Sequence, residues 1–297
     1  VIVIGYKKLN DISFLKRKPN SKGATMINQY FKIIIMISVV SLLSSQNTIA
    51  GYKVESIGHL SISQTQVDNW EAGGESTLSW QTNLKSSFSK KHPIWNESHI
   101  LDMSFGKTRV GDIPARKSID EIKLESLINL KIRHGVNPYV AINLQSQFSP
   151  GYNYNENSSE LVSDFLDPLY ITESTGFAWE IFNSMNSRLG FAMKQTFTDH
   201  FPAPYADDPA TLEIEKSKFE YGLECVGDYQ NNINELTSIN SKVELFSDLV
   251  SVRQTDVRWD SNFSTKLSDL FDLSFNFKLI YDQDISNRRQ IRQFLAI

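Results

Sequence analysis

The chain has 297 residues, enough for one large domain or two ordinary ones, with 40% hydrophobic residues and a formal net charge of −4. That balance offers no basic face, so a nucleic-acid partner is not expected. The single cysteine, Cys225, excludes an intrachain disulfide and argues against a cysteine-ligated metal cluster.

Residues 1–25 carry no initiating methionine and read as a mis-assigned extension outside the mature protein. Residues 26–50, "MINQYFKIIIMISVVSLLSSQNTIA", begin with a short start carrying Lys32. An apolar run from Ile33 to Leu43 and a polar tail follow. The run is shorter than the roughly 20 residues a membrane-spanning helix needs. The three-part layout is that of a secretory signal peptide, with cleavage expected after Ala50. The mature protein is then residues 51–297.

Next comes "NWEAGGESTLSW", Asn69–Trp80. A phosphate-binding glycine loop would lead into a helix. Here an alternating segment follows instead, with Leu78, Trp80 and Leu84 in one phase. Trp70, Gly73 and Gly74 are therefore expected to form the turn of a first hairpin, with Trp70 at a membrane boundary.

From there the apolar pattern has period two, the mark of strands with two unlike faces. Trp95, His99, Leu101, Met103 and Phe105 oppose Asn96, Ser98, Asp102 and Ser104. Ile122, Leu124, Ile128 and Leu130 oppose Lys123, Glu125, Asn129, Lys131 and Arg133. Near the end, Phe271, Leu273, Phe275, Phe277, Leu279 and Tyr281 oppose Asp272, Ser274, Asn276, Lys278 and Asp282.

About twelve strands are expected, starting near His59, Thr77, Trp95, Ile119, Tyr139, Ile171, Asn186, Lys216, Glu235, Asp256, Leu270 and Gln290. They run nearer 10 residues than the roughly 5–6 of soluble sheets. Short links such as "SKKHP" and "NSMN" alternate with long polar ones such as "TDHFPAPYADDPATLEIE". Aromatics including Trp80, Phe88, Trp179, Phe197, Tyr221 and Trp259 cluster near strand ends. The fold expected is all-β, an antiparallel transmembrane barrel with lipid outside and polar residues within.

The polar faces then nominate lumen-lining residues: Lys123, Glu125, Lys131, Arg133, Arg188, Lys194, Lys218, Glu220, Glu224, Lys242, Glu244, Arg258, Asp260 and Lys278. Such mixed charge would either tune a pore or fill the lumen with paired side chains. His59 and Ser61 share a strand face, as an activated serine would require, but that face points inward. His99 falls on the apolar face, as an interface residue. Asp207, Asp208, Asp282 and Asp284 offer oxygen ligands for calcium without the ligand count of a recognised loop. Cys225 is expected to be a buried small hydrophobe. No catalytic residue or metal ligand is assigned, and no cofactor is expected.

Over these segments the chain resembles an uncharacterised family of bacterial outer-membrane proteins, domain of unknown function 3078. The stretches that carry the resemblance include "NWEAGGESTLSW", "GDIPARKSIDEIKLES", "SQFSPGYNY", "SDFLDPLY", "FTDHFPAPYADDP", "KVELFSD" and "LIYDQDI". The resemblance implies a barrel and carries no activity. It also implies a last strand ending on an aromatic, whereas this chain reads "QIRQFLAI", so a truncated last strand is expected.

The function expected is that of a non-enzymatic outer-membrane protein, a narrow pore or a closed barrel presenting long outer loops. Its expected partner is the outer-membrane lipid bilayer. Two readings compete with it: a membrane-embedded lipid hydrolase or acyltransferase, and a partner-binding barrel using the loops around Tyr152, Tyr154, Asp207 and Asp208.

Overall fold

Period-two patterning builds strands, and strands are almost all that forms. The computed structural model describes residues 51–296 except 69–70, 133–134, 156–157, 250–254, 269–270 and 284–285. The extension and signal segment expected over residues 1–50 lie outside the described residues, as do Trp70, Arg133 and Asp284.

In chain order the strands are β1 (Lys53–Thr65), β2 (Thr77–Lys91), β3 (Trp95–Val110), β4 (Arg116–Leu130), β5 (Val136–Ser146), β6 (Gly151–Tyr154) and β7 (Ser159–Ser163). They continue as β8 (Leu169–Phe182), β9 (Met185–Phe197), β10 (Ser217–Asn232), β11 (Thr237–Asp248), β12 (Thr255–Lys266), β13 (Asp272–Asp282) and β14 (Ser286–Ala296). One four-residue helix, α1 (Pro202–Tyr205), sits between β9 and β10. No helix among the described residues is long and apolar enough to cross a membrane.

Twelve of the strands pair antiparallel in one sheet, in the order β1-β2-β3-β4-β5-β8-β9-β10-β11-β12-β13-β14. β6 and β7 form a separate hairpin within the β5–β8 connection. The twelve are long, from 11 residues in β5 to 16 in β10.

β10 shows how the sequence divides its faces. Glu220, Gly222, Glu224 and Val226 are buried, while Tyr221, Leu223 and Cys225 between them are exposed. The same inversion runs around the sheet. Phe191 is 66% exposed and Phe177 56%, whereas Arg188 is 6% exposed and Asp282 3%. Cys225 therefore departs from expectation: it keeps its apolar phase, but that phase is the outer face, so the thiol is exposed rather than buried.

The sheet is curled with its charged face inward. β4 and β12 stand six steps apart in strand order, roughly 30 Å in a flat sheet at about 4.8 Å per strand. Yet Lys123 Nζ on β4 lies 2.9 Å from Asp260 Oδ2 on β12. Among the described residues no ladder joins β1 to β14, so the sheet is open along one seam.

Candidate functional site

Glu121, Lys123 and Glu125 of β4, at alternate positions, supply the middle of the interior. Glu121 receives Lys278 of β13 and lies 3.4 Å from Lys123 and 3.9 Å from Arg292 of β14. Glu125 bridges two strands on the far side, with Arg188 Nη1 at 2.8 Å on one oxygen and Lys242 Nζ at 2.6 Å on the other. Lys242 also meets Glu244 at 2.8 Å. Higher up, Lys194 of β9 sits between Asp256 (2.6 Å), Asp282 (2.9 Å) and Glu220 (3.6 Å). Arg258 donates to Gln145, whose amide donates in turn to Glu121 at 3.2 Å. Each buried charge thus faces an opposite one, as removal from water demands.

Of the residues nominated from sequence, Lys123, Glu125, Arg188, Lys194, Glu220, Glu224, Lys242, Glu244, Arg258, Asp260 and Lys278 lie on the inner face within this network. Lys218 is half-buried beside Glu220, at 3.4 Å. Lys131 departs from the expectation. It lies just past the end of β4, is exposed, and its Nζ donates to the His92 carbonyl at 2.5 Å. The alternation had carried it one step beyond the strand. Gly73 and Gly74, in the β1–β2 connection, have φ of 78° and 137°, which glycine adopts at no steric cost.

Sequence reasoning missed Glu121, Asp256 and Tyr139 as interior residues. Glu121 and Asp256 share the phase of nominated neighbours (Lys123 and Arg258), and Tyr139 shares the phase of the polar Asn143 and Gln145, so the signal was present. Tyr139 is 2% exposed and lies over Gly190, where an added Cβ would meet its hydroxyl at 2.7 Å. Around it, Tyr139 Oη, Ser174 Oγ, Arg188 Nε and Nη2, and Glu224 Oε2 are buried without hydrogen-bond partners. Arg188 Nε and Glu224 Oε2 stand 3.9 Å apart, close enough for charge but not for a hydrogen bond.

At the long-loop end two carboxylates tie loops down. Asp120 accepts from the Phe148 and Ser149 amides at 2.7 and 2.9 Å, and from Lys117 at 3.1 Å. Asp167 accepts from Thr198 Oγ1 (2.6 Å), the amides of Asp199 (3.1 Å) and His200 (3.0 Å), and the His200 ring (3.0 Å). Burial pushes the Asp167 pKa up, but these hydrogen bonds outweigh it and hold the carboxyl below its ordinary value. Under α1 lies a cavity of ≈ 410 Å³, lined in part by Tyr170, Tyr205, Glu121 and Lys278.

The calcium candidates are otherwise engaged. Asp208 Oδ1 accepts from Ala210 N, Asp207 Oδ1 from Glu215 N, and Asp282 holds Lys194. No group of three or more metal-binding side chains occurs among the described residues. His59 and Ser61 pair with Asn83 and Gln81 across β2, and no hydrogen bond joins the two.

Comparison with known families places this architecture. Residues 62–152 match the model described as protein of unknown function, DUF3078. Residues 142–291, just over half of the chain, match protein of unknown function, DUF481. The chain belongs to the DUF481 family. No curated protein gives a significant match. In this DUF481 chain the two matched segments meet inside the sheet: the β4 acids lie in the first, and Arg188, Lys194, Lys242 and Lys278 in the second.

One further arrangement in the DUF481 chain lies on the outer face. His99 of β3 and Ser126 of β4 are direct cross-strand partners, with His99 Nδ1 3.0 Å from Ser126 Oγ. Glu97 stands two residues before His99 in the same phase. Its Oε1 is 2.9 Å from His92 Nε2, and its Oε2 is 4.0 Å from His99 Nε2. The His92 ring stacks on Trp95, with centroids 4.4 Å apart. Reading His99 as an interface residue overlooked the serine, because cross-strand register is not legible from one strand.

Proposed function

We propose that the protein is a transmembrane β-barrel of a bacterial outer membrane, its interior filled by ion pairs rather than open as a pore. The observation that carries this is the inversion of faces. A twelve-stranded antiparallel sheet buries Arg188, Lys194, Glu224 and Lys278 while exposing Phe177, Phe191, Tyr221 and Leu295. In water that outer face would be unstable; against acyl chains it is the favourable one. Aromatic pairs near the long-loop end support the reading, with Trp80–Phe105 centroids at 5.7 Å and Phe197–Phe219 at 5.9 Å. Trp95 and Trp179 lie toward the short-turn end. Such girdles sit where bilayer meets water.

Closure follows from strand parity. An even number of antiparallel strands leaves β1 and β14 running in opposite directions, so their free edges can pair antiparallel. Unpaired backbone groups in hydrocarbon cost several kcal/mol each, which drives that seam shut in a membrane. Export would use the segment at residues 26–50. The barrel then presents the loops organised by Asp120 and Asp167 outside the cell and a filled interior within.

The test is twofold. Fractionation should place the protein with outer membranes, and the unheated protein should migrate differently from the boiled one on a gel. In planar bilayers the refolded protein should be electrically silent. Steady unitary channels would sink the filled interior in favour of a pore.

A further inference from the structure

We propose that Ser126, His99 and Glu97 form an acyl-transfer site on the outer face, and that its substrate is an ester-linked phospholipid of the surrounding bilayer. The inference rests on the barrel reading, since only that reading sets this face against lipid. It departs from the expectation of a non-enzymatic barrel, and it moves the candidate from His59 and Ser61 to another pair of strands.

Three observations carry it. The first is geometry: a hydroxyl at 3.0 Å from an imidazole nitrogen, and a carboxylate facing the other nitrogen at 4.0 Å. That is the order nucleophile, base, orienting acid, built on two rigid neighbouring strands. The 4.0 Å gap is longer than a hydrogen bond, and contacts of this kind tighten when substrate binds. Glu97 is held in place by His92 on its first oxygen and by a hydrogen bond from the Tyr52 side chain, with its second oxygen lying toward His99.

The second is placement. Directly around the pair on the same face are Phe88 and Ile142, with Leu101 and Leu124 one register step along and Glu97 and Ile128 one step the other way. Ionisable groups on a lipid-facing strand are destabilising, so a polar trio set into an apolar face needs a reason. The third is the surrounding chemistry. Lys90 is the direct partner of Glu97, and Lys91 and Lys131 lie at the same short-turn end. A phospholipid presents this sequence of groups: an anionic phosphate, then an ester carbonyl, then acyl chains. Its phosphate would face the lysines and its chains the leucine and isoleucine side chains, which brings the ester to Ser126.

The reaction balances with water as co-reactant. Ser126 Oγ bonds to the ester carbonyl carbon while its proton passes to His99 Nδ1, and the carbonyl electrons move to oxygen. As they return, the bond from carbon to the glycerol oxygen breaks. That oxygen takes the proton from His99 and leaves as a lysophospholipid. Water then attacks the acyl-serine, gives a proton to His99, and releases the fatty acid as Ser126 Oγ recovers its proton. Glu97 is a positioning residue: it faces the imidazolium formed in each half and holds the ring with Nε2 protonated.

The experiment uses the refolded full chain with an alkyl fluorophosphonate as probe, and with phosphatidylethanolamine mixed micelles as substrate. Labelling should map to Ser126 and the micelles should release fatty acid. Ser126→Ala should abolish both, and His99→Asn should slow release about 100-fold or more. Glu97→Gln should lower kcat with KM unchanged. A protein that keeps its heat-dependent mobility yet is neither labelled at Ser126 nor releases fatty acid overturns the site and leaves the barrel standing. Release that persists in Ser126→Ala does the same. Loss of heat-dependent mobility in the unaltered protein would instead overturn the barrel reading, and the site with it.

Discussion

Glu125 shows how much one side chain holds. It is the shared acceptor for Arg188 and Lys242, so Glu125→Ala leaves Arg188 with only Glu224 at 3.9 Å, while Lys242 keeps Glu244 at 2.8 Å. Breaking a buried pair in this way costs about 3–5 kcal/mol, and the urea midpoint of the heat-dependent gel shift should fall accordingly. Gly190 is constrained by backbone: an added Cβ would come within 2.3 Å of the Thr175 carbonyl oxygen and 2.7 Å of Tyr139 Oη. Gly190→Ala should therefore destabilise by about 1–3 kcal/mol in the same assay, the usual range for overpacking. Tyr139→Phe should cost far less, because the hydroxyl it removes has no partner to lose. At this scale the sequence announced which residues face inward, since phase alone decides that. It could not announce which inward residue meets which, because Lys123 and Asp260 are 137 positions apart.

Among the elements, the β9–β10 connection is tied down at its start by Asp167, which accepts from Thr198, Asp199 and His200. The folded Asp167 pKa lies below its ordinary 3.8, so ionised Asp167 favours the tied loop and that contribution is complete above the ordinary value. It is lost as pH falls through the depressed folded value. Limited proteolysis within residues 198–216 should consequently speed up only in acid below the ordinary Asp range, and Asp167→Ala should make the loop equally cleavable at neutral pH. A loop just as resistant in Asp167→Ala would show that α1 is held by something else. Strand identity was legible where the alternation is strong: β2 and β3 begin at Thr77 and Trp95 as expected. β1 was read six residues late because Ser56 and Gly58 occupy its apolar phase and blur the period. The β6–β7 hairpin, four and five residues long and polar, carries no periodicity to detect.

For the molecule as a whole, the decisive property is which side of the sheet is dry. Charges enclosed by protein are screened only weakly by dissolved salt. The thermal midpoint of the gel shift should hence move little between low and high ionic strength. A steep loss at high salt would mean that the ion pairs are solvated and the interior is wet. The all-β class was legible in the amino-acid order because long strands with unlike faces leave a period-two trace in every segment. The outer Ser126–His99 pair left none, since it depends on two strands meeting in one register.

The ion pairs also bear on how the molecule comes into being. Glu121 waits for Lys278 across 157 positions of chain, and Glu125 for Lys242 across 117. Contacts of such sequence separation form late and slowly. Until β9 to β13 arrive, Glu125 has neither of its cations and Glu121 has only Lys123 of its own strand, so on the proposed barrel reading a partly assembled sheet cannot favourably leave water. If the proposed barrel reading holds, membrane entry would be tied to completion of the carboxy-terminal strands, which would make insertion close to all-or-none and leave half-built intermediates in the aqueous compartment.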